Sequence, residues 1–186
     1  MNMKTKDLNN LRLELSLEAK NGIDFIIAAS IIWVAITFIW TLDYDSYTKS
    51  IFTFIVGSPM LPLAFLLSKI LKTQWKIKSN PLQPLGLWFN FAQLFYFPFL
   101  IFILIANSDY FVMTYAIITG AHFFPYAWFY KEKGYAVIAG IISVGTMIIG
   151  INTTQSNIYY VPLFTSVFLG ILGIWLFISY RKKRNK

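Results

Sequence analysis

The chain has 186 residues, 57% hydrophobic and only 13% charged, with a formal net charge of +8 and a mean hydropathy of +0.59. About a quarter of a soluble domain is charged, so half that share with this much apolar mass points to an integral membrane protein. The absence of cysteine rules out disulfides, thiolate metal sites, cysteine nucleophiles and a lipidated cysteine. With a single histidine besides, the ligands for a zinc or haem site are lacking, and no cofactor is expected.

The opening MNMKTKDLNNLRLELSLEAK is polar, and no small-residue cleavage site follows the first apolar run, so no removable signal peptide is expected. LRLELSLE alternates like a strand, but a lone strand has no partner. As a helix, the segment sets Leu8, Leu11, Leu15 and Ala19 on one face, with Leu13 and Leu17 nearly opposite. A short amphipathic helix lying on the inner leaflet is the expected form, broken by Asn21-Gly22 before the first span.

Six apolar stretches follow, at 23–42, 51–71, 84–106, 110–130, 135–151 and 159–180. Crossing about 30 Å of hydrocarbon at about 1.5 Å per residue takes about 20 residues, and only the fifth stretch falls clearly short. Runs such as FIIAASIIWVAITFIW do not alternate, which argues against a barrel, and helices satisfy their own backbone in lipid. The expected fold is therefore all-α, a polytopic transmembrane bundle of six helices. Residues 1–22 form a cytoplasmic amphipathic segment, 23–180 the bundle and 181–186 a basic cytoplasmic tail.

Orientation follows from the basic residues. Lys4, Lys6, Arg12 and Lys20 precede the first span; Lys69, Lys72, Lys76 and Lys78 flank the second loop; Lys131 and Lys133 hold the fourth; Arg181, Lys182, Lys183, Arg184 and Lys186 form the tail. Of 16 basic residues only Lys49 lies on the other side, and the positive-inside rule places both termini in the cytoplasm. The excess charge thus reads as a topology signal, with lipid headgroups and not nucleic acid as its partner.

Polar groups inside a span are functional candidates, because each costs free energy there. They are Asp24, Asn90, Gln93 and His122. Helical rise puts Asn90 about 9 Å, Gln93 about 13 Å and His122 about 12 Å from the cytoplasmic side, with Asp24 at the mouth of the first span looking up into that layer. Gly86, Asn90, Gln93 and Phe97 share one stripe of the third span, and Tyr115, Thr119, His122 and Tyr126 one stripe of the fourth. The short connection NSD makes these spans antiparallel neighbours. Pro125 frees the carbonyl of Ala121, Pro98 that of Leu94, and Pro59 and Pro62 those of Ile55 and Ser58, as in the broken helices of transporters.

The bland alternatives are equally physical. His122, Asn90 and Gln93 could hold two helices in register, at about 0.6 kcal/mol per interhelical bond, and Asp24 could serve only the positive end of its helix dipole. Among the rings, Trp40, Tyr44 and Tyr47 suit an outer belt, and Trp75, Trp88, Trp128 and Tyr130 an inner one. Small residues Ala136, Gly140, Ser143 and Gly150, with Ser166, Gly170 and Gly173, suggest that the fifth and sixth spans pack together.

NPLQPLGLWFNFAQLFYFPF (80–99), GAHFFPYAWFY (120–130) and LELSLEAKNGIDFIIAASIIW (13–33) resemble an uncharacterised family of small six-helix bacterial integral membrane proteins of unknown function. The resemblance implies a bacterial inner membrane and six helices, and carries no functional residues.

Two functions remain in view. One is binding or transport of a small apolar or cationic ligand in an inner-half pocket lined by Asn90, Gln93, Tyr115, Thr119, His122 and Tyr126, with Asp24 at its mouth. The other is a non-catalytic accessory protein of immunity or sensor type, with a packed interior, working as a homo-oligomer or on a protein partner. An enzyme is disfavoured: no nucleophile-base pair, phosphate loop or paired acids can be found.

Overall fold

Prolines and left-handed residues, at Lys20–Gly22, Lys72 and Lys131, mark many of the helix ends in this chain. The computed structural model describes residues 7–185. In chain order the helices are Leu8–Glu18 (α1), Ile23–Thr41 (α2), Ser46–Gly57 (α3), Met60–Leu71 (α4), Gln83–Leu94 (α5), Phe97–Ala106 (α6), Phe111–His122 (α7), Phe124–Phe129 (α8), Lys133–Asn152 (α9) and Tyr160–Arg184 (α10), with no strand among the described residues.

Five stretches are long and apolar enough to cross a membrane: Lys20–Thr41, Ser46–Leu71, Gln83–Ala106, Lys133–Asn152 and Gln155–Arg184. The chain is a helical membrane protein. The fourth expected stretch is not among the five. It divides at Phe123 into α7 and α8, and His122, Pro125 and its tyrosines dilute its apolar character.

The breaks at Pro59, Pro98 and Pro125 have a local cause. Pro59 brings no N–H to the carbonyl of Ile55, and Ser58 takes that carbonyl instead, through its hydroxyl at 2.7 Å and its own N–H at 3.3 Å. The oxygen expected to be free is thus occupied. Pro98 and Pro125 each sit within the first two positions of a new helix, where a missing N–H does no harm.

The core is built around α2, whose Ile26, Ala28, Ile32, Trp33, Ile36 and Trp40 are all buried. One side of α2 packs along α10, which contributes Leu169, Leu172 and Leu176, and the other meets α3 and α4. Behind α10 comes α9, and α7 packs on α9 in turn. A Cβ at Gly120 would come within 2.8 Å of the Ile142 and Ser143 side chains, and one at Gly150 within 2.5 Å of Met113 Sδ. Those approaches draw α7 and α9 together.

The small-residue faces work differently from the expectation. Helices α9 and α10 do pack, but through Gly145, whose missing Cβ would lie 2.5 Å from the Phe164 ring. Gly150 serves α7, Gly173 faces Ile26 and Ile27 of α2, and nothing approaches Gly140 or Gly170 within 4 Å.

Two further expectations change. Trp40 is buried and donates to Thr53 Oγ1 at 3.0 Å, and Tyr130 is buried among rings, so both are core residues, not belt. Of the predicted face of α1, Leu15 is fully buried, Leu11 and Ala19 are half-buried, and Leu8 is exposed. Helix α1 lies against the protein: Arg12 Nε donates to the Trp128 carbonyl, Asn80 Nδ2 to that of Leu11 at 2.8 Å, and Lys20 Nζ to that of Leu71 at 2.7 Å.

The third segment is held loosely. Helix α5 buries no residue, and α6 only Leu100 and Leu104, while Phe95 is 82% exposed.

Candidate functional site

The residues expected to share an inner-half layer fall into separate surroundings. His122 and Tyr126 meet edge to face at 5.4 Å, and Tyr126 meets Phe89 of α5 at 5.5 Å, so the third and fourth segments touch through rings. Tyr115 lies apart, against Trp33 of α2 at 5.2 Å. Asn90 Nδ2 donates to the Gly86 carbonyl of its own helix at 2.9 Å, and so does not bridge to the neighbouring span.

Thr119 differs from all of these. It is buried, and its hydroxyl finds no hydrogen-bond partner. A helical threonine ordinarily turns its hydroxyl onto the carbonyl four residues back, as Thr53, Thr146 and Thr165 do here. One helical turn on, His122 has ring contacts alone.

Asp24 is buried and belongs to a different structure. Its Oδ2 accepts from Thr73 Oγ1 at 2.8 Å and from Trp75 Nε1 at 2.6 Å, and the Trp75 ring stacks on Phe25 at 4.8 Å. The carboxylate therefore latches the α4–α5 loop onto the first turn of α2, where it also meets the positive end of the helix. Among the described residues no three His, Asp or Glu side chains gather as a metal site would need.

A polar knot that the sequence did not announce ties four parts of the chain at one end. Lys20, Asn21 and Gly22 have φ of 46°, 58° and 72°. Asn tolerates this left-handed region and Gly favours it, and a Cβ on Gly22 would lie 3.0 Å from the Tyr130 ring. The turn presents both ends of Asn21: its carbonyl accepts from Tyr135 Oη at 2.6 Å, and its Nδ2 donates to the Leu176 carbonyl at 3.0 Å. Its Oδ1 accepts from Ser16 Oγ and, at 3.1 Å, from Lys183 Nζ.

Lys183 completes the knot. Its ammonium lies 3.2 Å from Glu132 Oε2, 2.8 Å from Ser16 Oγ and 3.1 Å from the Tyr130 carbonyl. Ser179 Oγ also donates to Glu132, and the Gly134 N–H reaches its other oxygen at 3.4 Å. Tyr126, Tyr130 and Tyr135 stack beneath, with centroids 5.7–6.0 Å apart. In sequence Glu132, between Lys131 and Lys133, is one of several acids in the segments expected on the basic side, with Asp7, Glu14 and Glu18.

A family model matches residues 8–179, nearly the whole chain. The chain belongs to the family of unknown function DUF7010. The match takes in α1, the Asn21 turn, the Asp24 latch and Glu132, and stops short of Lys183. No curated protein and no solved structure matches the chain.

Proposed function

We propose that this member of the family is a six-span protein of the bacterial inner membrane, with both termini cytoplasmic. In this reading it binds, and carries, a small apolar or cationic molecule between the third and fourth segments. The buried, unpartnered hydroxyl of Thr119 carries the reading. A polar group left alone in a low-dielectric interior costs about 1–3 kcal/mol, which a ligand or water beside it would offset. His122 one turn away, Tyr126 and Phe89 supply rings for an aromatic or cationic guest.

The topology is supported by the end of the bundle where Arg12, Lys20 and Lys183 meet. Its residues come from α1, the α4–α5 loop, the α8–α9 connection and the tail, the segments that carry nearly all the basic charge. With α7–α8 counted as a span, both termini lie on that side.

The absence of cysteine makes the test direct. Single cysteines at Gln93, Thr119 and His122 are reacted with a membrane-impermeant maleimide from the cytoplasmic side, with buried Ser166→Cys as control and Lys76→Cys as reference. Labelling of the three but not of Ser166→Cys supports the pocket. Silence at all three, with Lys76→Cys reactive, removes it.

A second reading, a non-catalytic accessory protein, is favoured by the exposed apolar length of α5–α6. It expects silence in the same experiment, and loss of function from changes at Phe95 or Ile105 instead of Thr119.

A further inference from the structure

Two cavities lie end to end between α2, α4 and α10. The first, about 390 Å³, has Lys20, Tyr180, Arg181 and Arg184 on its walls. The second, about 360 Å³, runs along Ile27, Ile31, Gly170, Gly173 and Ile174, with Ser30 its one polar side chain. Ile23, Leu71 and Phe177 wall both, so a cationic mouth opens onto an apolar trough.

The trough runs beside Gly170, a glycine that no neighbouring helix uses. Where helices close on each other, at Gly120, Gly145 and Gly150, a Cβ would collide at 2.5–2.8 Å. At Gly170 it would meet nothing within 4 Å, and at Gly173 only Ile26 and Ile27 at 3.8–4.0 Å. Gly170 leaves room on the outer face of α10 for something other than this chain, and the buried Gly173 floors the trough against α2.

The mouth has cations to spare. Lys20 Nζ gives one hydrogen bond to the Leu71 carbonyl and lies 5.5 Å from the centre of the Tyr180 ring. The Arg184 guanidinium approaches that same ring at 5.8 Å, and Arg181 approaches Phe177 at 5.8 Å. No carboxylate among the described residues pairs with any of the three, whereas neighbouring Lys183 is held by Glu132. Arginine forks in this position suit the oxygens of a phosphate diester.

We propose that this cleft is a binding site for an anionic phospholipid, its phosphate at Lys20, Arg181 and Arg184 and one acyl chain along Gly170 and Gly173. Lipid tails gain little by exchanging one apolar neighbour for another. The headgroup therefore supplies the preference, and the trough sets where the lipid stands. A free phosphate would use the mouth and have no use for the trough.

The full chain, purified in neutral detergent, is titrated with dioleoyl-phosphatidylglycerol and with dioleoyl-phosphatidylcholine, and bound lipid is counted by native mass spectrometry. One phosphatidylglycerol is retained in preference to phosphatidylcholine. Lys20→Gln/Arg181→Gln/Arg184→Gln weakens it about a hundredfold, at about fivefold for each basic residue. Lys76→Gln/Lys78→Gln/Lys133→Gln removes as much charge from exposed positions and leaves binding within twofold. Gly170→Leu, which fills the trough where space is open, weakens phosphatidylglycerol at least tenfold in a chain that still folds.

Equal losses in the two triple variants would reduce the effect to general surface charge and overturn the site. No preference for phosphatidylglycerol in the unaltered chain would overturn it as well. Displacement of the lipid by millimolar inorganic phosphate, with Gly170→Leu indifferent, would assign the mouth to a free anion and end the lipid proposal.

Discussion

The ammonium of Lys183 stands 3.2 Å from Glu132 and 3.1 Å from the side-chain oxygen of Asn21, closing one end of the bundle around a single ion pair. Glu132 is 6% exposed and the lysine 18%. Glu132→Gln should cost about 3 kcal/mol, because a partly buried ammonium loses its counter-charge. Glu132→Gln/Lys183→Met should recover most of that loss. Thermal unfolding in detergent of the two variants and of Lys183→Met gives the coupling, and additive effects would show that the pair does not act as a unit.

Tyr135 reports on the left-handed turn. Tyr135→Phe removes the donor to the Asn21 carbonyl and leaves that buried acceptor alone, at a cost of about 1–3 kcal/mol. The ring stack is retained, so near-ultraviolet circular dichroism should stay close to that of the parent while the midpoint falls. An unchanged midpoint would mean that the carbonyl finds another donor.

Asp24→Ala should release the α4–α5 loop without unfolding the bundle. Two charge-assisted bonds hold that loop, each worth about 1.5–3 kcal/mol. Trypsin cleavage after Lys76 and Lys78 should accelerate severalfold, and cleavage after Lys133 should not.

The glycines separate into two groups that a single substitution distinguishes. Gly120→Ala forces a Cβ to within 2.8 Å of Ile142 and Ser143 and should cost about 1–3 kcal/mol. Gly140→Ala meets nothing and should be neutral or stabilising, by up to about 1 kcal/mol of helix propensity. Thermal midpoints of the two variants give the comparison.

Asp45 caps α3, accepting from the Thr48 hydroxyl at 2.7 Å and from its N–H at 2.9 Å. Those bonds, the hydroxyl first, hold the carboxyl below its ordinary 3.8. A lowered folded value means that the cap is in full force above pH 3.8 and is lost as pH falls through the lower value. Amide exchange at Thr48 and Lys49, corrected for intrinsic rates, should speed up only below that range. Asp45→Ala should show the faster exchange at every pH.

Apolar runs of about 20 residues identified the helices because lipid leaves a backbone no other solution, and five stretches appear where such runs predict them. The fourth was harder to read, since His122 and Pro125 change both its hydropathy and its continuity. Spacing placed Thr119, His122 and Tyr126 on one stripe, yet it could not say that Asn90 would bond within its own helix or that Asp24 would turn to Thr73 and Trp75. The knot was out of reach for a different reason. Its members lie up to 167 residues apart, and each alone looks like an ordinary helix, loop or tail residue.

The turn at Asn21 also has a consequence for synthesis. Its side chain is held by Leu176 and Lys183, 155 and 162 residues further along. At about 5–20 residues per second, a ribosome delivers those partners about 8–30 s after Asn21 itself. Throughout that interval the Asn21 side chain has neither the Lys183 ammonium nor the Leu176 carbonyl to hold it. A chain cut short before Leu176 keeps the Arg12 and Asn80 bonds of α1 but leaves the Asn21 side chain without either of its partners from α10.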